Sequence, residues 1–241
     1  MGLELYLDLM SPPCRWVYMF AKKNNIPFEH KQMVLAKGEQ HSEAFAKVNQ
    51  LKKVPALKDG DFTLAESTAI LVYLAQKYKT ADHWYPSDLQ KRARVDEFLA
   101  WQHTTLTMNN GRLMMMKTMA PMLLGHPVPA EKVDAAVQEL NMSLKQMEEK
   151  FLQDKTFLTG EEISLADLVA FTTAAQPLGG GPDILDGRPK LIAWRQHVEA
   201  EIGEELINEM NQVMEKAKAM LGGPVDPAMK EMMKAYLQKM L

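Results

Sequence analysis

Leu3, Leu5, Leu7 and Leu9 alternate with Glu4, Tyr6 and Asp8, and this period of two predicts a strand over 3–9 with one buried face. After Ser11-Pro12-Pro13-Cys14 the period changes. Trp16, Val17, Phe20 and Ala21 share one helical face, and Asn24-Asn25-Ile26-Pro27 ends that helix. Residues 28–34 are a second strand candidate, and 42–48 have weak helical character. Val54-Pro55-Ala56-Leu57 is a short extended run that Lys58-Asp59-Gly60-Asp61 turns back into Phe62-Thr63-Leu64. Ala69, Ile70, Leu74 and Tyr78 then repeat at helical spacing and predict a helix over 66–78.

From Ser87 onward every segment is helical in period, at about 89–118, 130–152, 165–176, 189–201, 203–220 and 226–240. The change of pattern predicts two domains, 1–79 of α/β type and 88–241 all-α, joined by a linker at 79–88. The βαβ then ββα order of the first part is that of a thioredoxin-like domain. Such domains place a proline, often cis, before the third strand. An X-Pro bond is cis in only about 5–6% of folded cases, so the pattern leaves the isomer of Val54-Pro55 open. Ser164-Leu165-Ala166-Asp167 has the shape of a capping box, with Ile163 and Leu168 as a hydrophobic staple. Leu178-Gly179-Gly180-Gly181-Pro182 reads as a loop and not a phosphate cradle, since no strand precedes it and no G-x-G-x-x-G spacing is met.

Composition narrows the class. The chain has 241 residues, 46% of them hydrophobic, enough for a sizeable core. Its formal net charge of −3 carries no basic excess of the kind that suits nucleic acid or an anionic membrane. Cys14 is the only cysteine, so no intrachain disulfide forms, a reducing cytoplasmic setting is expected, and no zinc-type cluster is present. No apolar run approaches the roughly 18 residues that span a bilayer. The first residues read as a strand and not as a secretory signal, and Tyr6 stands where a myristoylation signal carries Ser or Thr.

The chemistry centres on Ser11-Pro12-Pro13-Cys14, which looks like a redox C-x-x-C turn whose attacking cysteine has become serine. Such a turn does not cycle through a disulfide. A hydroxyl at a helix N-terminus can instead hold a thiolate brought in by another molecule, or it can serve as an N-cap. Arg15 either orients this turn or pairs with a surface carboxylate, and Cys14 is expected as a small buried apolar residue.

Taken with Leu51-Lys52-Lys53-Val54-Pro55-Ala56-Leu57, the Glu66-Ser67 pair after a hairpin, Asp96-Glu97-Phe98-Leu99-Ala100-Trp101-Gln102-His103 and Gly187-Arg188-Pro189-Lys190, the turn gives the chain an end-to-end resemblance to theta-class cytosolic glutathione S-transferases. The resemblance implies a transferase with glutathione as co-substrate, no metal or redox cofactor, and a homodimer. It implies that Ser11 donates a hydrogen bond to the glutathione thiolate. A free cysteine thiol titrates near 8.5, and each unit of lowering takes about 1.4 kcal/mol, roughly one charge-assisted hydrogen bond. By the same resemblance Glu66 takes the γ-glutamyl ammonium, Ser67 the γ-glutamyl carboxylate, Val54 the cysteinyl backbone and Lys53 the glycine carboxylate. The family's histidine for that carboxylate is replaced here by Gln40, with His41 beside it.

The electrophile is expected between the Ser11 turn and the helical domain, at Thr107, Met108, Met115, Met119, Met232 and Lys234, with Tyr236 a further candidate. Met114, Met116, Met122, Met229, Met233 and Met240 crowd the same stretches, and flexible thioethers suit a pocket for varied apolar ligands as well as a core. Thr107-Met108-Asn109-Asn110 stands where relatives often carry basic residues, which speaks against a specialisation for anionic substrates. The expected reaction joins the glutathione sulfur to small hydrophobic electrophiles such as alkyl halides, epoxides or organic hydroperoxides. A non-catalytic ligand-binding or scaffold protein of the same fold is the alternative, and a disulfide or deglutathionylating oxidoreductase is third.

Overall fold

Leu3, Leu5 and Leu7 turn to one side of β1 (Leu3–Leu7) and join the main apolar core, whereas Tyr6 turns to the other side and packs with Met33, Phe45, Val48, Val54 and Ala56. The computed structural model describes residues 2–174 and 183–220, with 230, 231, 234, 235 and 237 beyond them. Four strands form one sheet in the order β2-β1-β3-β4, where β2 is Glu29–Gln32, β3 Ala56–Asp59 and β4 Phe62–Ala65. β1 and β2 are parallel, and the other pairs are antiparallel. Helices α1 (Pro12–Lys23) and α3 (Ser67–Lys77) pack on the leucine face, and the short α2 (Glu43–Ala46) brings Phe45 to the opposite one. Each leucine so buried contributes roughly 1.5–3 kcal/mol.

β1 ends at Leu7 and not at Leu9 because Asp8 turns the chain out of the sheet: its carbonyl accepts the Ser11 N–H at 2.9 Å and its Oδ1 accepts the Met10 N–H at 2.9 Å. β2 is shorter than 28–34, with polar side chains throughout, as suits an edge strand.

The helical part begins at α4 (Leu89–Thr104). The single helix expected over 89–118 is broken at Thr105, whose φ of −119° and ψ of −80° leave the helical region after two successive β-branched threonines. α5 (Leu106–Met114) runs into a π-helical turn at Met115–Met119 and then α6 (Ala120–Leu124). α7 (Ala130–Gln146) likewise ends in a π-helical turn at Met147–Leu152, followed by α8 (Leu165–Ala174), α9 (Pro189–Ile202) and α10 (Glu204–Met220). The glycine-rich stretch 178–182 lies outside the described residues, and of the helix expected over 226–240 the described residues are helical.

One apolar core runs through both parts. Phe20 of α1 meets Trp84, from the segment before α4, edge-on at 5.4 Å, and His83 Nδ1 donates to the Ile163 carbonyl at 2.6 Å. α1 also packs against α8 and α10, where the Tyr18 hydroxyl donates to Glu209. The capping box at the start of α8 is formed. Asp167 Oδ2 accepts the Ser164 N–H at 2.9 Å, Ser164 Oγ accepts the Ala166 N–H at 3.2 Å, and Ile163 and Leu168 are both buried.

Candidate functional site

Strand register gathers the candidate residues. Tyr6 lies opposite Ala56, and Ala56 opposite Ala65, so the C-terminal end of β1, the N-terminal end of β3 and the C-terminal end of β4 lie side by side. The chain leaves that one edge three times, as the turn to Ser11, as Val54-Pro55 and as Glu66-Ser67. Because β2 is parallel to β1, its C-terminal end sends the 35–41 segment to the same edge, where Asp8 Oδ2 accepts the Leu35 N–H at 2.9 Å.

Ser11 occupies the N-cap position of α1 in extended conformation, but its side chain makes no capping hydrogen bond. Pro12 and Pro13 at the first two helical positions have no N–H to cap, and the Cys14 N–H at the third donates to the Ser11 carbonyl at 3.0 Å, which leaves the half-buried hydroxyl for another acceptor. Cys14 is fully buried, and burial pushes its thiol up to about 12, against smaller lowering effects from the Asp8 backbone and the Ser11 hydroxyl. A thiol held protonated in this way is a poor nucleophile, so nothing here favours a redox role for it. Among the described residues Arg15 pairs with no surface carboxylate. It is buried, and its Nη1 donates to the carbonyls of Leu9 at 2.9 Å and Met10 at 3.1 Å.

Val54-Pro55 is cis, and among the described residues neither the N–H nor the C=O of Val54 has a hydrogen-bond partner. Lys53 is exposed. Its carbonyl accepts from Asn49 Nδ2 at 2.8 Å, while Asn49 Oδ1 accepts the Leu51 N–H at 3.0 Å, so a buried asparagine sets the loop that presents Lys53 and Val54. Glu66 is exposed, and its φ of 68° with ψ of 112° lies in a sparsely populated region for a residue with a side chain. Such a conformation costs roughly 1–3 kcal/mol, and Ser67 follows as the first residue of α3. Gln40 is buried and among the described residues its Oε1 has no hydrogen-bond partner, whereas His41 is exposed.

The methionines divide. Met10, directly before Ser11, clusters with Met114 at the end of α5 and Met214 of α10. Met115 and Met119 are half-buried and pack against the main core, and Met108 is 57% exposed on α5. Thr107 donates its hydroxyl to Gln102 of α4. Met229, Met232, Met233, Tyr236 and Met240 lie outside the described residues, and Lys234 pairs with Glu231 at 3.1 Å. Asp8, Asn49, Met10 and Met214 carry no sequence signal of their role: the first reads as a polar position in an alternating strand, and the others as ordinary loop and core residues. Among the described residues no group of three or more His, Cys, Asp or Glu could hold a metal ion.

Residues 1–76 match the glutathione S-transferase N-terminal domain family and residues 112–201 the C-terminal domain family. The chain is 57% identical to mouse glutathione S-transferase theta-3 over 241 residues, all of both chains. It superposes on the apo form of human glutathione S-transferase T1-1 with a TM-score of 0.91 at 56% identity, covering 99% of each chain. A human theta-class transferase solved with the glutathione conjugate of 1-menaphthyl sulfate gives a TM-score of 0.90 at 44% identity, covering all of this chain and 98% of that one. With that coverage and identity the chain belongs to the theta class of the glutathione S-transferase family and is a transferase of that class.

Proposed function

We propose that Ser11 holds the thiolate of glutathione at the N-terminus of α1 and directs it at small hydrophobic electrophiles, alkyl halides and epoxides first and organic hydroperoxides second. The observation that carries this is a hydroxyl at a helix start that makes no cap bond, on the same sheet edge as open main-chain groups at Val54 and the exposed carboxylate of Glu66. Val54 pairs with the cysteinyl backbone, Glu66 takes the γ-glutamyl ammonium and Ser67 its carboxylate. Lys53 and Gln40 take the glycine end. Gln40 has a buried acceptor to offer there, so it also fits the glycine amide N–H, and exposed His41 is secondary. The electrophile sits against Met10, Met114 and Met214, whose unbranched thioethers adapt to differently shaped apolar groups. Holding sulfur and carbon together away from water supplies the remaining rate.

We further infer a homodimer formed through the apolar face of Phe62, Leu64, Ala69, Val72 and Leu99, where Phe62 is 47% exposed beside a groove of about 830 Å3. A lone buried cysteine supports residence in the reducing cytoplasm. Among the described residues no helix is long and apolar enough to cross a membrane.

The test titrates glutathione into wild type and Ser11→Ala, recording thiolate absorbance and alkyl halide turnover. Binding without thiolate at neutral pH in wild type overturns the transferase mechanism, and equal turnover in Ser11→Ala removes the serine from it. Light scattering on wild type and Phe62→Glu tests the dimer, which the substitution is expected to split.

A further inference from the structure

Two opposite charges are buried in the turn that carries Ser11. Asp8 is 6% exposed and Arg15 is 5% exposed. Between them they hold the peptide groups that lead into the serine. The Asp8 carboxylate accepts the N–H of Met10 and of Leu35, its carbonyl accepts the N–H of Ser11, and the Arg15 guanidinium donates to the carbonyls of Leu9 and Met10. The N–H and the C=O of Met10 are thus clamped from opposite sides. Among the described residues no ion pair joins the two side chains, so neither charge is cancelled by direct contact with the other.

Neutral amides make the same kinds of hydrogen bond at a much lower desolvation cost than a carboxylate and a guanidinium. What the charged groups add is a fixed field, weakly screened because both are buried. Arg15 remains cationic at neutral pH, since burial lowers it only to about 10. A sulfur already present in the turn registers both charges: Asp8 raises the Cys14 thiol and Arg15 lowers it, smaller effects than its burial but opposite in sign.

We propose that Asp8 and Arg15 are positioning residues for thiol activation, a buried pair of opposite charges that fixes the Ser11 turn and sets how readily a thiol bound there releases its proton. This rests on the reading of Ser11 as the thiolate donor. Arg15 favours the anion and Asp8 opposes it, so the two also set a balance between more thiolate and a more nucleophilic one. Among the described residues the other ionisable groups beside the pair include Cys14, which stays protonated, and Glu199 of α9, which lines a cavity of about 110 Å3 beside Arg15 with Thr172 and Asn211. One turn along α1, Tyr18 and Glu209 are engaged with each other, and Glu66 and Lys53 stand exposed at the sheet edge.

The test measures thiolate absorbance of bound glutathione against pH in wild type, Arg15→Met, Arg15→Lys and Asp8→Asn. Removing the cation is expected to raise the bound-thiol pKa by about one unit, and removing the anion to lower it by up to about one unit. Arg15→Lys, which keeps the charge and loses the planar fork, is expected within about half a unit of wild type. At a pH below the wild-type value the thiolate fraction then falls about tenfold in Arg15→Met and rises in Asp8→Asn. Shifts in the same direction for both neutral variants mean only a loosened turn and overturn the proposal, as does no shift in either. If Arg15→Met does not fold, the sign in Asp8→Asn decides, and an upward shift there overturns the proposal. Absence of thiolate in wild type itself brings down the Ser11 reading, an outcome visible before any variant is compared.

Discussion

Two helices of this protein begin at a serine three residues before a potential side-chain partner, and the two beginnings are used in opposite ways. At α8 the sequence is Ser164-Leu165-Ala166-Asp167, and every polar group is engaged. Asp167 accepts from the N–H groups of Ser164 and Leu158, from Ser164 Oγ and from Trp194 Nε1, at 2.8 to 3.0 Å. At α1 the sequence is Ser11-Pro12-Pro13-Cys14, where the prolines remove two donors, the Ser11 carbonyl takes that of Cys14, and the serine hydroxyl caps nothing. A saturated helix start is an internal fastening. An unsaturated one, placed at the end of a sheet beside open main-chain groups, is a place for a ligand.

The comparison is broken most forcefully at Asp167. The residue is fully buried, and burial raises its pKa even against four favourable hydrogen bonds. Asp167→Ala leaves the donors of Leu158, Ser164 and Trp194 in the interior without an acceptor, and a loss of about 3–5 kcal/mol in unfolding free energy is expected from chemical denaturation. Turnover per folded molecule is expected to stay near wild type. A loss of turnover with intact stability reverses the assignment of the two helix starts.

Ser11→Ala is expected to do the converse. With no cap bond to lose, the unfolding free energy changes by less than about 0.5 kcal/mol. Turnover falls by about 10²-fold, close to 3 kcal/mol in the transition state, the order of effect seen when one preorganised donor is removed. Denaturation and steady-state kinetics on the same preparation separate the two effects. A stability loss above 1 kcal/mol makes Ser11 a cap after all.

These two starts also mark what the residue pattern conveys and what it hides. Alternation at Leu3 to Leu9 and helical spacing after Trp16 placed the first strand and helix, and the Ser164 box was readable because capping acts over three residues of sequence. Ser11, Val54 and Glu66 stood out by their motifs. Asp8, Asn49 and the contact of Met10 with Met114 and Met214 did not, since each acts across the fold: Asp8 reaches Leu35, and Met214 arrives from α10. The break at Thr105 and the π-helical turn at Met115–Met119 were hidden by a continuous helical period. Such long-range choices follow from packing, which a local period does not encode.

Glu66 sharpens the comparison at a smaller scale, because its backbone carries strain that the fully satisfied start of α8 does not need. Glu66→Gly suits a φ of 68° and is expected to raise stability by about 1 kcal/mol in thermal or chemical unfolding. The same change removes the carboxylate, and calorimetry is expected to show about tenfold weaker glutathione binding, the worth of one charge-assisted contact. Unchanged affinity takes Glu66 out of the site and leaves the strained conformation without a function.

Cys14 gives the smallest effect and closes the contrast with Asp167, since each stands three residues after its serine. Asp167 is bound by its own helix start, whereas the Cys14 thiol is silenced by burial. Its pKa of about 12 in the folded chain lies above the ordinary value, so between those two values the folded state holds a proton that the unfolded state has lost. Stability from this group is therefore intact below about 9 and declines as the pH rises through that range toward 12. Alkylation by a neutral reagent at pH 7.5 is expected to proceed no faster than global unfolding exposes the thiol, and mass spectrometry across a denaturant series reads that directly. Cys14→Ala leaves a small cavity and is expected to cost about 1 kcal/mol, with turnover within about twofold of wild type. Rapid alkylation of the native protein that also stops turnover means that the turn works through its own sulfur, and then the serine at position 11 is no longer the group that distinguishes it from the start of α8.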